Sequence, residues 1–292
     1  MSIFQDFAHI VRENEPLAPY TWARVGGTAK YFAEPTSVEE LQALVRRCAS
    51  EGIAVRVLGA GSSIIVRDEG VAALVVSLAA PAFCAVRIEE RTVLAGAGVR
   101  LGHVIATAVR EGLAGLEGFV GIPGTVGGAV YTNVVSHGTC ISQWTEAATV
   151  VTADGSLARI GRQQLELSRR GSHLDQAIIV EAEFRLEPGD PRLLTQRMQH
   201  TWIVRRASQP PPGQTTLCMF EAPGWTTASA LIEQIGLQGT RVRQAEMFDK
   251  DPNFVVIHPG ATCRDVVTLM QLVQDKVREK FGVELEPAIE IW

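Results

Sequence analysis

The chain lacks the features that would place it in a membrane, outside the cell or around a metal ion. No apolar run approaches the ~20 residues that a membrane-spanning helix needs. The first residues contain neither the basic segment nor the apolar segment of a secretion signal. The five cysteines are scattered and never spaced as C-x-x-C, and the six histidines stand apart from other metal ligands. We therefore expect a reduced, cytoplasmic protein with no metal, no disulfide framework and no membrane partner.

Positive charge is also scarce. The formal net charge of −5 excludes a general attraction to nucleic acid or to anionic lipid, so a nucleic-acid partner is not expected. At 292 residues, with 46% hydrophobic and 20% charged residues, the chain has an ordinary globular composition and room for two or three domains. The expected partner is a small molecule, and the chain is expected to be a monomer or a weak dimer.

Two common phosphate-binding motifs are absent. No segment matches G-x-x-x-x-G-K-[ST], so the sequence does not support a P-loop nucleotidase. Gly59-Ala60-Gly61 follows an apolar strand, but Ile64 stands where the third glycine of G-x-G-x-x-G belongs. Asp68 comes too early for the acid that binds a ribose in that motif. A Rossmann domain is therefore not expected.

Two other glycine-rich loops are present, at 59–63 and 121–129. The second holds four glycines and a proline in nine residues, which lets the backbone approach a ligand that a Cβ atom would exclude. Successive backbone N–H groups in such turns can converge on phosphate oxygens. Either loop alone is a weak signal, but the pair indicates a large phosphate-bearing ligand.

Hydrophobic spacing and turn residues predict a mixed α and β chain. Helices are expected at 38–50, 101–111, 226–234 and 263–281, and a β-hairpin is expected around Asp154-Gly155. The composition changes most sharply at 205–213, which contains three consecutive prolines and is predicted to be a linker. The chain ends on a strand-like stretch, 283–290, in which alternate residues would face one side. The predicted fold class is α+β.

Taken in order, these motifs resemble one known family. The matching segments span the chain from about residue 14 onward, and they are Val25-Gly26-Gly27-Thr28-Ala29, Leu58 to Ser63, Gly115-Leu116-Glu117-Gly118, Gly121 to Ala129 with Asn133, Arg170-Gly171-Ser172-His173, Ala228 to Glu233 with Gly236 to Gly239, Asn253-Phe254, and Phe281 to Trp292. They are similar to the UDP-N-acetylenolpyruvoylglucosamine reductase (MurB) family. The chain resembles its shorter form, which lacks an inserted loop.

The resemblance implies a fold, two cofactors and a reaction. It implies an FAD-binding domain of the vanillyl-alcohol-oxidase (PCMH) type in two segments, 1–78 and 79–205, and a smaller αβ C-terminal substrate domain at 206–283. The strand at about 284–292 returns to the first segment. In the family, NADPH reduces FAD, which then reduces an enolpyruvyl UDP-sugar. The cofactor would be bound by Gly59, Ala60, Gly61, Ser62, Ser63, Gly121, Ile122, Gly124, Thr125, Gly127, Gly128 and Asn133.

The resemblance also assigns catalytic and substrate-binding positions. Arg170 would polarise the substrate carboxylate, because a guanidinium stays charged and binds carboxylates bidentately. Cys218 would protonate the substrate. The remaining expected substrate contacts are Ser172, Glu221, Asn253 and Glu290.

Some positions depart from the family pattern. The family's glutamate falls on Ala288, which can neither hydrogen-bond through its side chain nor donate a proton. On the predicted strand, Glu286 and Glu290 would share a side with Ala288 at about 6–7 Å, too far to replace that glutamate. The family's lysine after Phe220 is Glu221, and its histidine before Asn253 is Asp251. Three functions therefore stay open: the family's reductase, a flavoprotein with a changed substrate or reaction, and a flavin-binding protein without catalysis.

Overall fold

The structure of the chain is a computed structural model that describes residues 3–136, 138–165, 174, 177–211 and 213–292. In these residues the α-helices, in chain order, are α1 (Val38–Glu51), α2 (Leu101–Arg110), α3 (Val126–Tyr131), α4 (Pro191–Ser208), α5 (Ala228–Gln234) and α6 (Cys263–Phe281). The strands are β1 (Val11–Pro16), β2 (Thr28–Ala33), β3 (Val55–Leu58), β4 (Ile64–Ile65), β5 (Val71–Ser77), β6 (Val86–Glu89), β7 (Thr92–Gly96), β8 (Leu113–Ala114), β9 (Val135–Ser136), β10 (Thr139–Cys140), β11 (Thr145–Val151), β12 (Leu157–Gly161), β13 (Ile178–Arg185), β14 (Glu187–Pro188), β15 (Thr216–Cys218), β16 (Arg241–Val242), β17 (Ala245–Met247), β18 (Phe254–Ile257) and β19 (Glu290–Ile291).

The chain divides into two compact units, each with its own hydrophobic core. The first unit consists of Met1–Asn14, Lys30–Ala60 and Ala72–Ile203, and the second consists of Glu15–Ala29, Gly61–Val71 and Val204–Trp292. Each core draws its buried residues from one unit alone. Both units are discontinuous in sequence, because the chain crosses between them several times.

The first unit contains a five-stranded antiparallel sheet in the order β12-β11-β13-β7-β6. Most residues of a four-stranded sheet, β1-β2-β5-β3, also belong to this unit. In that sheet β3 runs parallel to β5. Helix α1 begins at its N-cap Ser37, whose side chain accepts a hydrogen bond from the backbone N–H of Glu40, and ends at Gly52. Its apolar face buries Leu41 and Leu44 in the core.

The second unit contains a four-stranded antiparallel sheet, β15-β18-β17-β16, together with helices α5 and α6. Helix α6 starts with a capping box between Thr262 and Asp265. The backbone N–H groups of Cys263 and Arg264, the first two residues of α6, donate hydrogen bonds to the carboxylate of Asp68. Cys263 donates to Oδ1 at 3.0 Å and Arg264 donates to Oδ2 at 3.3 Å. This acid therefore ties the 61–71 segment to the start of α6.

The predicted helices at 101–111 and 263–281 and the hairpin at Asp154-Gly155 are confirmed. The prediction of a linker at 205–213 is wrong over 205–208, which form the last turn of α4. Residues 192–209 contain no proline or glycine, so the helix continues through Arg205 and Arg206. The second glycine-rich loop also contains an unpredicted short helix, α3.

The predicted strand at 283–290 is wrong as well. The segment makes a single bridge, between Phe220 and Pro287, before β19 begins at Glu290. Pro287 has no N–H group to donate to a ladder, so only its neighbours can extend the pairing. Glu286, Ala288 and Glu290 therefore do not form one regular strand face.

Candidate cofactor and substrate site

The two glycine-rich loops meet in the first unit at Gly59 and Thr125. A Cβ atom on Gly59 would lie 2.7 Å from Oγ1 of Thr125, which is closer than real Cβ contacts. That hydroxyl is the N-cap of α3 and accepts a hydrogen bond from the backbone N–H of Gly128 at 3.3 Å. Two segments that lie 66 positions apart in sequence thus come into contact, and a side chain at position 59 would have to displace the Thr125 hydroxyl.

Backbone hydrogen bonds attach the second loop to residues 97–99. Val126 and Gly127 donate their N–H groups to the carbonyls of Val99 and Ala97, at 2.8 and 2.9 Å. A Cβ on Gly127 would lie 2.9 Å from Cβ of Ala97, so this contact also requires glycine. Gly121 and Gly124 have φ of +81° and +145°, conformations that favour glycine.

These constraints leave backbone donors available around the meeting point. In the part of the chain that the structure describes, no protein acceptor is bonded to the backbone N–H groups of Gly59, Ala60, Gly124 or Thr125. Of the residues at this meeting point, only Thr125 has a polar side chain. These backbone N–H groups can form a glycine cradle for phosphate oxygens. Of the predicted binding residues, the structure brings Gly59 and Thr125 together.

The first loop continues in sequence into the second unit at Gly61, Ser62 and Ser63. Gly61 has a φ of +66°, and a Cβ there would lie 2.5 Å from the carbonyl oxygen of Tyr20. Its own carbonyl accepts a hydrogen bond from the backbone N–H of Trp22 at 3.0 Å. Ser63 accepts one from the backbone N–H of Glu290 at 2.8 Å. The predicted substrate contact Glu290 therefore lies beside the end of the first glycine-rich loop.

Asn133 supports the loop that follows α3. It is buried, has a φ of +45° and accepts a hydrogen bond from the backbone N–H of Ser142 through Oδ1 at 3.2 Å. Asparagine tolerates this left-handed conformation better than most residues. Its amide oxygen is therefore used to position the 133–142 segment.

The second unit brings together Cys218, Asn253 and the backbone of Phe220. Cys218 ends β15 and Asn253 immediately precedes β18, so the two residues lie at the same end of this sheet. Nδ2 of Asn253 donates to Sγ of Cys218 at 3.3 Å and to the carbonyl of Phe220 at 2.8 Å. Burial raises the pKa of the Cys218 thiol to about 12, and the nearby Asp251 carboxylate acts in the same direction. The thiol therefore stays protonated at neutral pH.

The segment that contains Ala288 lies directly against this group. Ala288 donates its N–H to the carbonyl of Met219 at 2.7 Å, and Glu221 donates its N–H to the carbonyl of Glu286 at 2.9 Å. The position of the family's glutamate is thus next to the chain that carries Cys218 and Glu221. A methyl group there leaves the site without the carboxylate.

Two further residues join this group: Asp251, which stands where the family has a histidine, and Ser229, which the sequence did not single out as a site residue. Ser229 donates a hydrogen bond to Oδ1 of Asp251, which also accepts from the backbone N–H of Asn253 at 3.2 Å. The Asp-Pro-Asn sequence was the available signal, because aspartate often bonds the backbone two residues later. The predicted residues Arg170 and Ser172 lie outside the described residues.

The described residues contain neither a metal-binding cluster nor a membrane-spanning helix. No group of three or more histidine, cysteine or acidic side chains could hold a metal ion there. Over the same part of the chain, no helix combines the length and apolar character needed to cross a bilayer. A cleft of about 400 Å³ in the second unit is lined by residues 23–25, 213–215 and 256–261, and it does not include Cys218, Asn253 or Ala288.

Comparisons with known proteins match both parts of the chain. The family described as an FAD binding domain matches residues 29–161, which include Gly59, Ala60 and the whole second loop. The family described as the C-terminal domain of UDP-N-acetylenolpyruvoylglucosamine reductase matches residues 209–292, which include Cys218, Asn253 and Ala288. The glycine cradle fits the diphosphate of FAD, since it offers backbone N–H donors that have no protein acceptor among the described residues.

Full-length relatives extend this result. UDP-N-acetylenolpyruvoylglucosamine reductase of Rhodopirellula baltica is 34% identical over 99% of this chain and 94% of its own length. Reductase 2 of the same name from Symbiobacterium thermophilum is 38% identical over 100% of this chain and 94% of its own length. The solved structure of the Thermus caldophilus reductase (MurB) is 32% identical, with a TM-score of 0.83 over 97% of this chain and 99% of that one.

These findings confirm the predicted α+β fold, with an FAD-binding domain and a smaller C-terminal domain. The alignments cover 99–100% of this chain and 94% of each of these two relatives. The chain belongs to the UDP-N-acetylenolpyruvoylglucosamine reductase family.

Proposed function

We propose that the chain is an FAD-dependent reductase that uses NADPH to reduce UDP-N-acetylglucosamine enolpyruvate to UDP-N-acetylmuramate, a peptidoglycan precursor. The observation that carries this proposal is the full-length identity of 34–38% to reductases of that name. FAD, when bound, supplies the redox chemistry by passing a hydride from NADPH to the substrate double bond. A cytoplasmic location suits a reaction that uses NADPH and a nucleotide sugar.

The chain itself would bind the cofactor and deliver a proton. The backbone N–H groups of Gly59, Ala60, Gly124 and Thr125 would hold the FAD diphosphate. Cys218 would give the proton at Sγ to the substrate carbon next to the carboxylate, and would recover it from water. Its raised pKa keeps the thiol protonated and ready to act as an acid. Arg170 would hold the substrate carboxylate, since a guanidinium remains charged at every relevant pH.

A second candidate, a changed substrate or reaction, rests on the side chains around Cys218. Ala288 removes a carboxyl group that, when protonated, could donate a hydrogen bond to the developing negative charge, and a lost interaction of this kind costs about 3 kcal/mol in known sites. Glu221 places a negative charge where the family pattern has a lysine, which disfavours an anionic substrate. FAD binding without catalysis is the remaining outcome for a chain whose glycine cradle is intact.

Anaerobic spectroscopy of the purified protein distinguishes these functions. The reductase should show a flavin spectrum that NADPH bleaches and that UDP-N-acetylglucosamine enolpyruvate restores. UDP-N-acetylglucosamine is the matched control, because it lacks the enolpyruvyl double bond and should restore nothing. Bleaching without restoration would assign the chain to a changed reaction. A flavin that NADPH does not bleach would indicate a different donor or binding alone.

A further inference from the structure

The side chain of Asn253 has all of its hydrogen-bonding groups engaged by the protein. It is 9% exposed, and its Oδ1 accepts from the backbone N–H of Phe220 at 3.0 Å. One Nδ2 hydrogen is directed to the carbonyl of Phe220 at 2.8 Å and the other to Sγ of Cys218 at 3.3 Å. The amide therefore pairs with Phe220 much as a neighbouring strand would, and it also reaches the sulfur. None of its donors is left for a substrate.

This arrangement determines how the thiol proton is held. The S–H of Cys218 can reach the same Phe220 carbonyl, but at 3.8 Å, whereas the Asn253 amide occupies that carbonyl at 2.8 Å. The thiol contact is much the longer of the two, so the protein holds the thiol proton only weakly. The sulfur meanwhile accepts a hydrogen bond from Nδ2, which favours the anionic form that remains once the proton has left.

The backbone N–H and carbonyl groups of Asn253 are also held by hydrogen bonds. Its carbonyl accepts from the N–H of Met219 at 2.8 Å, and its N–H donates to Oδ1 of Asp251 at 3.2 Å. Asp251 in turn accepts from the hydroxyl of Ser229. Because the residue is anchored through β15 and through α5, its amide cannot move far from the sulfur without breaking several hydrogen bonds.

We propose that Asn253 is a positioning residue for Cys218, which holds the sulfur in place and stabilises the sulfur anion after proton transfer. The proposal rests on the proposed function of Cys218. In that step the S–H bond breaks and a C–H bond forms at the substrate carbon, and the thiolate then takes a proton from water. The hydride for the neighbouring carbon comes from NADPH by way of FAD. Asn253 acts on the thiol and makes no contact with the substrate.

The test is Asn253→Asp, which keeps the size and the Oδ1 acceptor for Phe220 but removes both N–H donors. Reduction of bound FAD by NADPH should be unchanged, because the thiol takes no part in it. Restoration of the flavin spectrum by UDP-N-acetylglucosamine enolpyruvate should slow by about 10- to 100-fold, the effect of one lost hydrogen bond to a charged group. The solvent deuterium isotope effect on that step should rise, while KM should change by less than about threefold.

Two controls separate positioning from a general structural effect. Asn14→Asp makes the same substitution at an exposed residue of the first unit and should change none of these quantities. In a Cys218→Ala background, Asn253→Asp should have no further effect on the restoration step, since the group it acts on is gone. Asn253→Ala, followed in parallel by thermal unfolding, provides a second variant in case the aspartate disturbs folding.

An infrared measurement tests the contact without any substrate. The S–H stretching band of Cys218, assigned by difference against Cys218→Ser, should shift in Asn253→Asp and stay in place in Asn14→Asp. An unshifted band, an unaltered restoration rate, or an equal slowing in the Cys218→Ala background would overturn the proposal. A wild-type protein that the substrate does not reoxidise would defeat the proposed reductase function alone, because the infrared band still decides the contact.

Discussion

Replacing Gly59 by alanine tests the contact on which the glycine cradle depends. The added Cβ would lie 2.7 Å from Oγ1 of Thr125, so the hydroxyl has to move. Once displaced, it can no longer accept the hydrogen bond from Gly128 that caps α3. Forcing an extra carbon into a packed site costs about 1–3 kcal/mol. Loss of the cap adds about 1 kcal/mol. We expect the free energy of unfolding to fall by about 2–4 kcal/mol, the sum of these two effects.

A double-mutant cycle isolates the contact. Thr125→Ala alone should cost about 1 kcal/mol, because it removes the cap and introduces no clash. In that background Gly59→Ala meets no hydroxyl, so its cost should fall well below its cost in the wild type. The expected coupling energy is about 1–2 kcal/mol, typical of residues in direct contact. Gly59 does not have a positive φ, so backbone strain from the alanine does not confuse the result.

Urea unfolding of the FAD-free protein measures the stabilities, and flavin fluorescence during FAD titration measures affinity. FAD affinity should fall at least about tenfold in Gly59→Ala, since the N–H groups proposed to bind the FAD phosphates move with Thr125. Gly102→Ala in α2 is the matched control, because its Cβ would meet nothing within 4 Å, and it should stabilise the protein slightly. Additive effects of Gly59→Ala and Thr125→Ala would refute the reasoning.

Three further predictions address the site, a helix start and acid stability. Ala288→Glu combined with Glu221→Lys should speed substrate-driven FAD reoxidation by about 10- to 100-fold, more than either change alone. The double variant restores a carboxyl group and a cation, and stopped-flow absorbance measures the rate of reoxidation. Asp68→Ala should lower the free energy of unfolding in urea by about 1–2 kcal/mol, since it removes the acceptor for the N–H of Cys263. Hydrogen bonds from His9 and Thr36 lower the pKa of Glu40 to about 2 from 4.5, so its contribution is present above pH 4.5 and is lost as the pH falls toward 2. The stability difference between wild type and Glu40→Gln, at most about 1 kcal/mol for this exposed pair, should therefore shrink over that range in urea titrations at several pH values.

Each of these has a result that contradicts it. A double variant at positions 288 and 221 that is no faster than the wild type would mean that the site has diverged beyond those two changes. An unchanged urea midpoint in Asp68→Ala would mean that water satisfies the first N–H groups of α6 equally well. A Glu40→Gln difference that stays constant from pH 6 to 2 would show that the carboxylate is not stabilised by its hydrogen bonds.

Local patterns predicted much of the fold. The apolar spacing of 101–111 and that of 263–281 each depend on residues within a few positions of one another, and both helices are confirmed. The Asp154-Gly155 turn predicted its hairpin for the same reason. Predictions weakened where an element depends on a distant partner. Residues 283–290 look like a strand by composition, but they form only one β-bridge, between Pro287 and Phe220 of the neighbouring segment.

The candidate site divides in the same way. Four glycines in nine residues indicated close approach of the backbone to a phosphate, because only glycine allows it. Motif order then indicated the family, which the full-length relatives confirm. The residue that Gly59 approaches could not be read from the sequence, since Thr125 lies 66 positions later. Nor could the sequence show that the Asn253 amide is engaged by Phe220 and Cys218.

By itself, the amino-acid sequence determined the local elements, the α+β class, the two glycine-rich loops, the family resemblance and the absence of a glutamate at Ala288. These follow from residue type and spacing, which act over a few positions along the chain. Only the tertiary structure decided which loop residues meet and how Cys218, Asn253 and the Ala288 segment pack together. The physical reason is that hydrogen bonds and steric contacts depend on distance in space, and folding makes neighbours of residues far apart in sequence.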